Sequence, residues 1–131
     1  MITIYTIPCD DPGKTDHERL EKSLGEIEAM VVRLDHRRLD EVREEDNPWW
    51  GFLFSNEWFD KSLAEAIPIF LQHQFDYLVL HKKSFFNGKT RVFSAPRLFR
   101  AHVQLEEGHS LVPKEPELLK FERVLDGWLR D

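Results

Sequence analysis

A chain of 131 residues, 41% hydrophobic and 32% charged, is long enough for one domain with its own core and too apolar to be a disordered tract. A single cysteine, Cys9, excludes an intramolecular disulfide and favours a reducing, cytoplasmic setting. No run of eighteen apolar residues is present to span a membrane, and the opening Met-Ile-Thr-Ile-Tyr lacks the pattern of a secretion signal.

The first stretch, Ile2-Thr3-Ile4-Tyr5-Thr6-Ile7, is rich in β-branched residues and predicts a strand. Pro8, Pro12 and Gly13 break the chain, with Asp10 and Asp11 in the loop. Thr15-Asp16-His17-Glu18 has capping-box spacing, and Leu20, Leu24 and Ile27 form a stripe, predicting a helix over about 16–28. Residues 30–34 predict a second strand, with Asp35 at its carboxyl end, and the βαβ unit so formed favours a parallel pair. A short charged helix over 37–46 ends at Asn47-Pro48.

The apolar run Trp49 to Phe54 predicts a buried central strand that stops at Ser55, Asn56 and Glu57. Asp60 stands where a helix N-cap belongs, before Leu63, Ile67 and Phe70 at helical spacing, and Pro68 predicts a kink or an early end. Residues 75–86 predict a long strand, Asn87-Gly88 a type I′ turn, and residues 89–94 its returning partner. A short extended piece over 101–105 follows. Pro116 then opens a predicted last helix striped by Leu118, Phe121, Leu125 and Trp128. The expected fold is a three-layer α/β domain with a partly parallel, mixed sheet and a C-terminal helix.

Two features bear on function. Polar residues at the carboxyl end of a buried strand are where open α/β sheets place ligands, which singles out Ser55, Asn56 and Glu57. Charge is also segregated. The net charge of −6 argues against general nucleic-acid binding, yet Lys82, Lys83, Lys89, Arg91, Arg97 and Arg100 lie between Asp76 and Glu106 with no acid among them. Acids crowd the other side, with Asp40, Glu41, Glu44, Glu45 and Asp46 ahead of Pro48. That pattern suits a small anionic partner.

The central stretch resembles the inverting, nucleotide-sugar-dependent glycosyltransferases of the GT-A fold. In one bacterial branch an apolar strand ends in Asp-x-Asp-Glu and runs into a helix beginning Leu-x-x-x-Ile. Here Phe52-Leu53-Phe54-Ser55-Asn56-Glu57-Trp58-Phe59 precedes Leu63 and Ile67. The likeness continues through Leu78-Val79-Leu80-His81-Lys82, Phe86-Asn87-Gly88-Lys89 and Arg97-Leu98-Phe99-Arg100, covering residues 49–105. It implies a reduced nucleotide-diphospho-sugar transferase-like fold that binds a nucleotide-sugar or related anionic sugar ligand. It also implies a divalent cation, Mg²⁺ or Mn²⁺, at Glu57. Asp10, Asp11 and Asp35 would line the nucleotide side, Asn56 and Ser55 would assist Glu57, Arg97 or Arg100 would pair with phosphate, and Asp60 or His109 would be the base.

The chain departs from the pattern in ways that point to a degenerate member. Ser55 and Asn56 replace the two aspartates, leaving one carboxylate for a hard cation that prefers several. Only about sixteen residues separate the second strand from the central one, so a piece of the family's nucleotide site is missing. Two alternatives stand beside this reading. One is a non-catalytic α/β interaction module. The other is a glutaredoxin-like protein opening on Ile7-Pro8-Cys9, although no second cysteine follows, and Asp10 and Asp11 beside the thiol would raise its pKa.

Overall fold

The computed structural model describes residues 1–42, 47–108 and 111–131. Its strands are β1 (Ile2–Ile7), β2 (Ala29–Arg33), β3 (Trp49–Phe54), β4 (Trp58–Phe59), β5 (Tyr77–Phe86), β6 (Lys89–Arg100) and β7 (Phe121–Arg130). The helices are α1 (His17–Ser23), α2 (Leu39–Val42) and α3 (Lys61–Phe70). All seven strands join one mixed sheet in the order β2-β1-β3-β6-β5-β7-β4. β1 is parallel to both β2 and β3, so the chain leaves these three strands at one edge of the sheet. β6 then runs antiparallel to β3 and β5, while β7 lies parallel to β5.

Strand alternation sorts the core onto two faces. Ile2, Ile4, Trp49, Leu53, Leu78 and Leu98 meet Leu20 and Leu24 from the α1 segment and Leu63 and Ile67 of α3. On the other face Tyr5, Trp50, Phe52, Tyr77 and Phe99 are covered by Leu39 of α2 and by Val103 and Leu105. β1, paired on both edges and packed on both faces, is buried throughout.

The expected βαβ unit, the central strand and the Asn87-Gly88 turn are present, the last with φ of 50° and 72° at its two residues. The boundaries of α1 differ. Its N-cap is Asp16, whose side chain accepts from Arg19 N, and it ends at Ser23 because Gly25 turns left-handed at φ 57°. α3 begins at its Asp60 cap as expected, and Pro68 falls in its last turn, where the helix continues only to Phe70. Residues 43–46 of the predicted charged helix lie outside the described residues.

The expected C-terminal helix is replaced by a 3-10 turn at Pro116–Leu118 and by β7. Its supposed stripe does not face a core: Leu118 and Leu125 are exposed, whereas Val124 and Leu129 are fully buried. Tyr77 to Lys83 would otherwise present an open strand edge, and pairing with β7 satisfies those backbone groups. The piece over 101–105 is a turn and one isolated bridge, Leu105 to Pro113, rather than a strand.

Candidate functional site

Glu57 sits just past the carboxyl end of β3, and the chain there turns so that Glu57 N donates to Phe54 O at 2.9 Å. This returns its side chain beneath the strand, where it has no solvent exposure. Oε1 accepts from Phe54 N at 2.7 Å and from Arg97 Nη1; Oε2 accepts from Arg97 Nη2 at 3.0 Å and from Lys82 Nζ at 2.7 Å. Burial pushes this carboxyl's pKa up, but the charges and hydrogen bonds of Arg97 and Lys82 outweigh it and hold it below the ordinary value.

Arg97 reaches Glu57 because of an irregularity in β6. Leu98 pairs with Leu78 and Pro96 with Val79, so Arg97 is the extra residue of a bulge, which re-aims a side chain. The same bend brings the Arg97 carbonyl against Gly51, where a Cβ would lie 2.4 Å from that oxygen. Phe52 and Phe54 flank the guanidinium at 4.8 and 5.3 Å from their ring centroids. From Lys82 the ion pairs continue outward to Asp131 Oδ2 at 3.2 Å, and the Asp131 carboxylate also accepts from Ser84. Alternating charges therefore run from the buried Arg97 to the surface.

That surface is a groove of about 460 Å³ lined by Lys14, Thr15, Asp16, Arg19, Asn56, Ser84, Phe85, Phe86 and Asp131. It lies over the carboxyl ends of β1 and β3. A second, more open groove of about 680 Å³ shares Asp16 and Arg19 and extends past Trp58 to Lys61 and Ala64. Arg19 stands between them, donating to Asn56 O at 3.2 Å and covering the Trp58 ring at 5.5 Å.

Of the candidate ligand and catalytic residues among the described residues, Asn56 alone lines the first groove. Ser55 is buried and committed to Cys9 and Thr15: its Oγ lies 2.8 Å from Thr15 Oγ1 and donates to Cys9 Sγ at 3.3 Å. Asp10 is exposed and paired with Arg37 Nη2 at 2.8 Å; Asp11 caps the turn at Gly13; Asp35 is exposed beyond β2. Arg97 is an internal counter-ion and is not free to meet a phosphate. Arg100 lies at the other end of β3, paired in register with Trp49, where it donates to Phe75 O at 3.1 Å. His109 lies outside the described residues.

Asp60 does not present a free base. Its Oδ1 accepts from Leu63 N at 2.9 Å, capping α3, and its Oδ2 accepts from Trp128 N at 2.9 Å. Asp60→Ala should cost about 1–2 kcal/mol of unfolding free energy, read as a lower urea midpoint. Asp60→Asn, which keeps one acceptor oxygen, should recover part of that loss.

The residues present do not fit a divalent cation at Glu57. A carboxylate offers about four lone-pair positions, and here four donors fill them, two from a guanidinium and one from an ammonium. A cation would have to displace both bases from a buried site. The cysteine also differs from expectation. The Asp10 carboxylate pairs with Arg37 and that of Asp11 accepts from Gly13 N, and although burial pushes the Cys9 thiol up, hydrogen bonds with Ser55, Thr15 and the backbone bring it below its usual value.

Sequence reasoning missed Lys14, Arg19, Ser84 and Asp131 as members of this region, and named Lys82 as part of the basic, acid-free stretch without assigning it to Glu57. Lys82 carried a usable signal, being a base at an even position of β5 alongside the buried Leu78 and Leu80. The others are joined only by tertiary proximity. Comparison with protein-family models, with curated proteins and with solved structures returns no match.

Proposed function

We propose that this protein is a reduced, glycosyltransferase-like binding protein that holds a nucleotide-sugar or related anionic sugar ligand without a divalent cation. The observation that carries the reading is the position and chemistry of the smaller groove. It lies over the carboxyl ends of two adjacent parallel strands, the usual ligand position in open α/β sheets. Lys14 and Arg19 bring positive charge to a phosphate, Thr15, Asn56 and Ser84 bring hydrogen-bonding groups, and Phe85 and Phe86 bring ring faces for a base or sugar.

Binding rather than transfer is favoured because Glu57 and Asp60 have their carboxylate oxygens in use. A general base needs a free acceptor within reach of the hydroxyl it deprotonates.

Tryptophan fluorescence followed during titration with UDP- and GDP-sugars tests the reading, since Arg19, which lines the groove, lies over the Trp58 ring at 5.5 Å. A saturable change is expected with one class of donor, equal in the presence and absence of Mn²⁺. Arg19→Ala and Lys14→Ala should each weaken binding by about tenfold, the scale of one lost charge-assisted hydrogen bond. A flat response to every nucleotide-sugar, or a strict need for Mn²⁺, would remove the reading.

A further inference from the structure

The β5–β6 hairpin outruns its neighbours. β7 pairs with β5 only as far as Lys83, opposite Arg130, and β3 pairs with β6 only from Leu98 onward. The rungs Ser84–Arg91, Phe85–Thr90 and Phe86–Lys89 therefore form a two-stranded arm with no strand on either outer edge among the described residues. At about 3.3 Å per residue these three rungs and the turn extend roughly 10 Å.

The arm's composition is opposite to that of a solvated tip. Phe85 is 74% exposed, Phe86 55%, Val92 57% and Phe93 47%. By register and alternation, Phe85 and Val92 lie on one face and Phe86 and Phe93 on the other, so each face carries exposed apolar side chains among its polar ones. Lys83, Lys89 and Arg91 are interleaved with them, and the span from Tyr77 to Leu105 has no acid although the chain carries 24.

Apolar residues on both faces of a protruding tip suit immersion rather than lateral packing. The net charge of −6 opposes an anionic surface, and the acid-free span offsets it at the arm, where Asp131, accepting from Ser84, is the carboxylate in contact among the described residues. A second copy is a poorer occupant, because edge-to-edge pairing brings the bases of one arm close to those of the other. We propose that the arm docks tip-first on an anionic lipid surface, placing Phe85, Phe86, Val92 and Phe93 in the interfacial zone with Lys83, Lys89 and Arg91 at the headgroup phosphates. An interfacial depth of about 5–10 Å matches the three free rungs that carry Phe85 and Phe86, and Val92 and Phe93 lie one and two rungs below them, opposite Lys83 and Lys82, at the base of the arm. Phe85 and Phe86 also line the smaller groove, so docking and groove binding draw on the same two side chains, and variants at arm residues that line neither groove separate the two proposals.

The test is co-sedimentation with vesicles of phosphatidylcholine alone and of equal parts phosphatidylcholine and phosphatidylglycerol. Retention is expected on the anionic vesicles only, and raised salt should release it. The pair Lys89→Glu/Arg91→Glu should weaken retention by about thirtyfold or more, since each base near an anionic surface contributes a few-fold. The pair Val92→Ser/Phe93→Ser should abolish it. None of these four residues lines either groove or belongs to the buried core, so the thermal midpoint and the nucleotide-sugar titration should be unchanged. Equal retention on both vesicles, retention on neither, or unaltered retention by both variants would overturn the proposal. So would a dimer that the Val92/Phe93 variant dissolves, or tighter binding to a single-stranded oligonucleotide than to the anionic vesicles.

Discussion

Glu57→Ala should lower the unfolding free energy by about 3–5 kcal/mol, the cost of breaking a buried ion pair from one side. The substitution leaves Arg97, which is 5% exposed, as an uncompensated buried charge and removes the internal partner of Lys82. Against a typical total of about 5–15 kcal/mol, that is enough to leave a large unfolded fraction in mild urea. Glu57→Leu combined with Arg97→Met should be markedly less damaging than the sum of the two single changes, because no charge is then stranded. A urea series at neutral pH on the wild type, Glu57→Ala, Glu57→Leu, Arg97→Met and the double variant measures both quantities.

Acid should act on the same pair. Arg97 and Lys82 depress the folded-state pKa of Glu57 below its unfolded value near 4.5. A depressed carboxyl contributes stability that is fully present above the unfolded value and is lost as pH falls through the folded one. The wild-type protein should therefore lose stability on acidification below about pH 4.5, and Glu57→Gln should flatten that limb while lowering the neutral plateau. An unchanged plateau together with an unchanged acid limb in Glu57→Gln would contradict the assignment of Glu57 as the internal anion.

The second large effect is expected at Gly127. β7 carries extra residues between Val124, which pairs with Leu80, and Leu129, which pairs with Lys82, and the excursion turns at Gly127 with φ 85°. A Cβ there would stand 2.3 Å from Leu63 N and 2.4 Å from Asp60 Oδ1, the two atoms of the α3 cap. Backbone has to move to admit it. Gly127→Ala should cost about 3 kcal/mol or more, combining the left-handed penalty with the clash and with damage to the cap. This exceeds the loss expected for Asp60→Ala, since that change deletes an acceptor without moving the chain. Thermal and urea midpoints for the two variants give the comparison; a Gly127→Ala protein as stable as wild type would mean that this turn is not held against α3.

Much of the scaffold was legible because it is written in local pattern. The alternation of Ile2 to Ile7, the abrupt end of the Trp49–Phe54 run and the Asp60 cap each depend on residues a few positions apart. The last strand was not. Leu118, Phe121, Leu125 and Trp128 recur at helical intervals, but the segment is claimed by the open edge of β5, a long-range demand that outweighs local periodicity. The end of the central strand was legible and its wiring was not. Ser55, Asn56 and Glu57 do end the central strand, yet the turn at Glu57 folds its carboxylate inward to an arginine forty positions away, delivered by a bulge that sequence spacing does not reveal.

The placement of β7 also bears on synthesis. It follows the other six described strands in the chain, yet it occupies an interior position, with β5 on one side and β4 on the other. Until residues 121–130 emerge, the apolar strand Tyr77-Leu78-Val79-Leu80 has one unsatisfied flank and two-residue β4 has no neighbour at all. A nascent chain in that state offers a template for pairing with other chains. Ribosome-stalled products that end before Phe121 should accordingly be held by chaperones or precipitate, whereas products extended past Arg130 close the vulnerable seam.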